Sequence, residues 1–155
     1  MRVSLEDLLN RFIREGKLKR QRTSIDYLNN LLDSAKNNFE AASLIKGKVD
    51  EAAFKLVYDG LLQLSRLILL LNGYRPNNGE QHKTTFTVAG QLLGEEYLRL
   101  IEKIQKFRIK RNICVYEPRG LISKNEVESI YKNIPRILAK STNLSKNEKP
   151  TAKTF

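Results

Sequence analysis

A chain of 155 residues, 41% of them hydrophobic, is sized for one domain around one core. Its 28 basic against 17 acidic residues give a formal charge of +11, which favours anionic partners: nucleic acid, an acidic protein or an anionic membrane face. One cysteine and one histidine exclude an internal disulfide framework and the usual cysteine/histidine zinc arrangements.

Ser4 can cap a first helix running to about Glu15, with Glu6 and Asp7 in its first turn and Leu5, Leu8, Leu9, Phe12 and Ile13 on its apolar side. Gly16 stops it. Four of the next six residues, Lys17 to Arg22, are basic, so this stretch reads as a solvated connector or a phosphate-contacting patch. The N-terminus carries acidic residues among its leucines and no signal-peptide pattern, so a cytoplasmic protein is expected.

Thr23 or Ser24 can cap the second helix, whose stripe of Ile25, Leu28, Leu32, Ala35, Phe39 and Ala42 runs to about Ile45. Asp50 opens a third helix ending near Asn72. Its apolar positions Phe54, Val57, Leu61, Leu64, Ile68 and Leu71 are widened by Leu56, Leu67 and Leu70. A surface that broad predicts the central element of a bundle, and Gly60 within it predicts a close helix crossing. The most apolar run, Leu61 to Leu71, is short for a membrane span and carries Gln63 and Arg66, so no membrane association is expected.

Gly73 to Gly79 is turn-rich. In the next segment, His82 to Gly94, three threonines and a valine suit a strand. The spacing of Phe86, Ala89, Leu92 and Leu93 fits a helix better. Glu95 to Glu117 reads as one long helix, terminated by Pro118 to Gly120. Ser123 and Glu126 form a capping box for a last helix through about Leu138, with Pro135 near its end, and a flexible basic tail follows. The predicted fold is all-α: an antiparallel bundle of five or six helices. Residues 1–22 form a short helix and basic connector, 23–138 the bundle and 139–155 the tail.

Most catalytic signatures are missing. There is no G-x-x-x-x-G-K-S/T loop, no H-E-x-x-H and no G-x-S-x-G, so neither a metal nor a cofactor is expected. His82 reads as a surface or helix-start residue, and Glu95 and Glu96 as helix-start carboxylates. What remains is the end of the long helix. Arg111 continues the line of Leu100, Ile104 and Phe107, where an arginine must snorkel, pair, or join a polar pocket. The pocket reading combines Arg108 and Arg111, which suit phosphate, with Lys110 as added charge, Asn112 as an orienting amide and Tyr116 as a hydrogen-bond donor. Tyr116 lies five residues beyond Arg111, about 140° around an ideal helix, so a loosened turn or a second subunit is needed to bring them together.

With DEAAFKLVYDGLLQLSRLILLLNGYRP, the HKTTF segment and RNICVY in view, the chain from about Thr23 to Leu138 resembles the HEPN domain superfamily, specifically its stand-alone UPF0332-like branch. The resemblance implies a compact helical bundle that forms a homodimer with its motif helices facing each other. It also implies action on RNA, as a metal-independent endoribonuclease or toxin-like component of a toxin–antitoxin system, with a small nucleotidyltransferase as partner. The superfamily also contains noncatalytic binding domains, so both readings stay open. The family's nuclease motif, an arginine and a polar residue followed by a histidine, maps onto Arg111, Asn112 and Tyr116. Tyrosine thus stands where the active enzymes carry the histidine. The tyrosine that some toxins present for modification two positions further on is here Pro118.

Overall fold

The computed structural model describes residues 4–45, 47–77 and 81–114. Their order is α1 (Leu5–Arg14), β1 (Leu18–Arg20), α2 (Ile25–Ile45), α3 (Asp50–Leu71), β2 (Tyr74–Pro76), α4 (Gln81–Leu93) and α5 (Glu95–Cys114). The architecture among the described residues is an all-α bundle of five helices with one small two-stranded sheet. The predicted last helix and basic tail lie outside the described residues.

Local chemistry explains most helix boundaries. At α1 the Asp7 amide donates to Ser4 Oγ at 3.1 Å, and Leu8 and Phe12 are the buried positions. At α2 the cap is Ser24, whose hydroxyl accepts from the Tyr27 amide at 3.2 Å, while Thr23 is buried beside Gln21. The predicted α2 stripe is buried at Leu28, Leu32, Ala35, Phe39 and Ala42. Ile25 departs from it: it sits in the first turn, 46% exposed, before the helix has met its neighbours.

The two longest helices pack against each other as a hairpin. Only four residues join α2 to α3, and Asn38 Nδ2 donates to Gln63 Oε1 at 2.7 Å while Phe39 faces Gly60, so the helices run antiparallel. Helix α3 is the centre of the core. Phe54, Val57, Leu61 and Leu64, and every residue from Leu67 to Leu71, are nearly inaccessible to solvent. Such all-round burial requires neighbours on several sides; α2 and α4 pack along its length and β2 meets it as well.

The close crossing expected at Gly60 is present. A β-carbon there would lie 2.7 Å from Cε1 and 2.9 Å from Cζ of Phe39, well inside normal contact. The segment with three threonines is helical, as its apolar spacing predicted. Thr84 and Thr85 are buried along with Phe86, Val88 and Ala89. Gly94, at φ 104°, is the only residue between α4 and α5. A side chain in that backbone conformation is strained, so glycine is what permits so abrupt a turn.

The basic connector requires a correction. Residues 17–22 are not a solvated linker: β1 pairs antiparallel with β2, with Leu18 opposite Pro76, Lys19 opposite Arg75 and Arg20 opposite Tyr74. Leu18 is 2% exposed and belongs to the core, which holds an otherwise polar strand in place. The partner strand comes from the stretch that reads as turns. Three residues per strand are too few to produce a period-2 signal.

Gly60→Ala tests the α2–α3 crossing. Overpacking costs about 1–3 kcal/mol and helix propensity returns about 1, so a net loss on the order of 1 kcal/mol is expected in urea unfolding. Phe39→Leu in the same chain should recover part of that loss. A stabilised single variant would contradict the packing described.

Candidate functional site

The predicted site rides on α5, so the buried face of α5 decides what the site can be. Tyr97 and Ile101 are buried, whereas Arg99, Glu102, Lys106 and Ile109 are exposed. On an ideal helix, position 108 falls within about 20° of both Tyr97 and Ile101, and position 112 within about 20° of Ile101. Position 111 lies about 40° to the other side of Tyr97, and position 110 falls on the exposed side. The helical backbone therefore sets positions 108, 111 and 112 along and beside one line, with 110 apart from them. The side chains of Arg108, Lys110, Arg111 and Asn112, and Tyr116 as a whole, lie outside the described residues.

The same line changes character along its length. Tyr97 and Ile101 are core residues, but Gln105, one turn further, carries a buried Oε1 with no hydrogen-bond partner among the described residues. Arg66 Nε on α3 is likewise buried and unpartnered there. A buried polar atom is costly to leave unsatisfied, so α5 turns polar at Gln105, one turn beyond its core residue Ile101.

Below it, α5 is tied to α3 by a buried pair of hydroxyls, with Ser65 Oγ 2.7 Å from Tyr97 Oη. Burial pushes the Tyr97 phenol far above the ordinary tyrosine range, and the Ser65 hydrogen bond partly opposes that shift. Tyr97 therefore stays protonated throughout the physiological range. It acts as a hydrogen-bonded strut between α3 and α5.

Two other features lie elsewhere on the bundle. His82, expected at a helix start, is the second residue of α4 and exposed; its Nδ1 lies 3.4 Å from the hydroxyl of buried Tyr58, whose ring meets Phe86 edge-on. At that distance the contact orients the start of α4 and does little more. A cleft of about 510 Å³ lies between α1, α4 and the start of α5, with Leu8 and Leu98 as apolar walls and Arg11, Gln91 and Glu95 as polar groups. Arg11 is drawn to Glu15 at 3.9 Å and Glu95 to Arg99 at 3.8 Å, and no cysteine, serine or histidine lines the cleft. Thr87 supplies a hydroxyl to the lining, with no histidine there to act as its base. Among the described residues no group of three histidine, cysteine or acidic side chains could hold a metal ion, and no helix is long and apolar enough to cross a membrane.

Sequence reasoning missed Gln105, Ser65 and Tyr97. Tyr97 carried a usable signal, since it stands seven residues before Ile104 on the same helix line. Ser65 carried none, because a serine inside an apolar helix has many uses.

Tyr97→Phe should cost about 1–3 kcal/mol, because Ser65 is left buried without its partner. The double change Ser65→Ala/Tyr97→Phe should cost less than the sum of the single changes. In wild type, stability falls as pH rises above about 10, where the unfolded chain gives up the Tyr97 proton and the folded chain keeps it. Tyr97→Phe should remove that part of the alkaline slope, read from urea unfolding between neutral and alkaline pH.

No protein-family model matches this chain, and it has no significant match among curated proteins or solved structures.

Proposed function

We propose that this protein is an RNA-directed, HEPN-like helical bundle whose working surface is the C-terminal end of α5. The observation that carries this reading is the polar turn of the buried helix line: Tyr97 and Ile101, then Gln105, then positions 108 and 112. From Lys103 to Arg111 the helix also carries five basic residues and no acidic one. A run of this kind neutralises phosphates and binds them more tightly at low salt.

In the proposed roles Arg111 grips the phosphate, Arg108 adds positive charge, Lys110 draws in the backbone from the exposed side and Asn112 orients a sugar or base. Two copies would bring their α5 helices together and complete one pocket. A small nucleotidyltransferase is the partner that the family resemblance implies.

Cleavage would proceed by attack of a ribose 2′-hydroxyl on the adjacent phosphate. That reaction needs a base for the 2′ proton, stabilisation of charge on the phosphoryl oxygens and an acid for the departing 5′ oxygen. Arginine supplies the second requirement. A tyrosine, with a pKa near 10 in model peptides, is protonated at neutral pH, so Tyr116 suits the third and not the first. This favours slow, metal-independent cleavage. The same substitution supports the second reading, a noncatalytic module that binds RNA or a nucleotide-handling protein.

Purified wild type, Arg111→Ala and Tyr116→Phe are incubated with mixed RNA in chelator, and binding and cleavage are followed together. Arg111→Ala should weaken binding about 10- to 100-fold, the value of a charge-assisted hydrogen bond to phosphate. Cleavage lost in Arg111→Ala identifies the enzyme, and binding without cleavage identifies the module. Equal binding by all three preparations refutes both.

A further inference from the structure

We propose that the outer face of the β1–β2 ribbon is a second binding surface, specific for the phosphodiester backbone of a nucleic acid and independent of α5. The ribbon places Lys19 directly opposite Arg75. Like charges in that position repel and destabilise a strand pair. The backbone nevertheless holds them in register, since the ladder continues past both ends: the Gln21 amide donates to the Gly73 carbonyl at 2.9 Å, and the Asn77 amide to the Lys17 carbonyl at 2.9 Å.

Nearby cations are treated differently. Lys17 pairs with Glu15 at 3.0 Å and lies over the Phe12 ring, and Arg11 also leans toward Glu15. Among the described residues, no carboxylate pairs with Lys19, Arg20, Arg22 or Arg75. Arg75 Nη1 reaches only the carbonyl of its neighbour Pro76, at 3.4 Å, and Arg20 lies 5.5 Å over the ring of Tyr74. Alternation along the strands turns Leu18 and Pro76 into the core and leaves Lys19 and Arg75 on the outer face, flanked by Gln21 and Asn77.

That composition selects the ligand class. The apolar residues Leu18 and Pro76 of the ribbon face inward, so its outer face offers cations and amides with no apolar side chain to insert into lipid. Two cations held in register by the backbone, with the Asn77 amide beside them and the Gln21 amide leaning toward Thr23, match phosphate oxygens and sugar hydroxyls. An anion lying between Lys19 and Arg75 would also relieve their repulsion, which gives the pairing a physical reason.

The full chain is titrated with labelled single-stranded RNA, and with DNA of the same sequence, across a range of salt. Lys19→Gln/Arg75→Gln should lower the slope of log K against log salt by about 1.4, the share of two single-strand phosphate contacts. Lys19→Glu, which gives Arg75 an opposite charge across the ribbon and changes the net charge by the same amount, should weaken binding to a similar extent while holding or raising Tm. The charge control Lys36→Gln/Lys55→Gln, at two exposed sites on α2 and α3, should keep the wild-type slope. Loss with RNA alone, or with both strands, supports the proposal and names the source of the phosphates. An unchanged slope in the ribbon variants, an equal drop in the control, or a lowered Tm in both ribbon variants overturns it. So does failure of the wild type to bind either strand, or ribbon-dependent binding confined to phosphatidylserine-containing vesicles. Arg111→Ala in the same assay keeps the two surfaces apart: loss there with intact ribbon dependence supports both, and loss there alone leaves the α5 reading standing without the ribbon.

Discussion

The contact between the ring of Phe39 and the bare backbone at Gly60 controls the spacing of this bundle. It lets α2 and α3 approach more closely than any side chain at position 60 would allow. That closeness is what keeps α3 dry on the α2 side, while α4 covers it elsewhere. A glycine in a helix interior sacrifices about 1 kcal/mol of propensity relative to alanine. Here the gain is packing around the most deeply buried helix, with Phe54, Val57, Leu61 and Leu64 all sealed from solvent.

The second organising feature is how polar groups are admitted to this core. Ser65 and Tyr97 satisfy each other at 2.7 Å, a closed account that joins α3 to α5 and leaves no charge inside. Arg66 and Gln105 follow on the same two helices, and each keeps a buried polar atom without a partner among the described residues. The sequence from satisfied to unsatisfied groups runs along α5 toward its basic end. Helix α5 is thus anchored near its start by packing, and it turns polar at Gln105.

The net charge of +11 is unevenly committed. Near α1, Glu15 takes up both Arg11 and Lys17, and on α5 Glu95 answers Arg99. These are exposed pairs of small energetic weight. The ribbon cations have no such partners among the described residues, although the strand register holds two of them face to face. Backbone hydrogen bonds and the burial of Leu18 outweigh that repulsion, so the fold holds these cations in register with no carboxylate partner among the described residues.

Helical periodicity by itself determined the five helices, the central place of α3 and the crossing at Gly60, because long amphipathic segments write their burial into spacing. The helical state of His82 to Gly94 was also legible there, since apolar spacing outweighed threonine's preference for strands. Only the tertiary structure decided that residues 18–20 form a strand, because its partner lies more than fifty positions away and neither piece is long enough to show alternation. Tertiary packing likewise decided that Tyr97 and Ile101 are buried on α5, a line within about 20° of which position 108 falls on an ideal helix. A one-dimensional pattern records which residues share a helix face, but the direction in which that face meets the core is a property of the neighbours that pack against it.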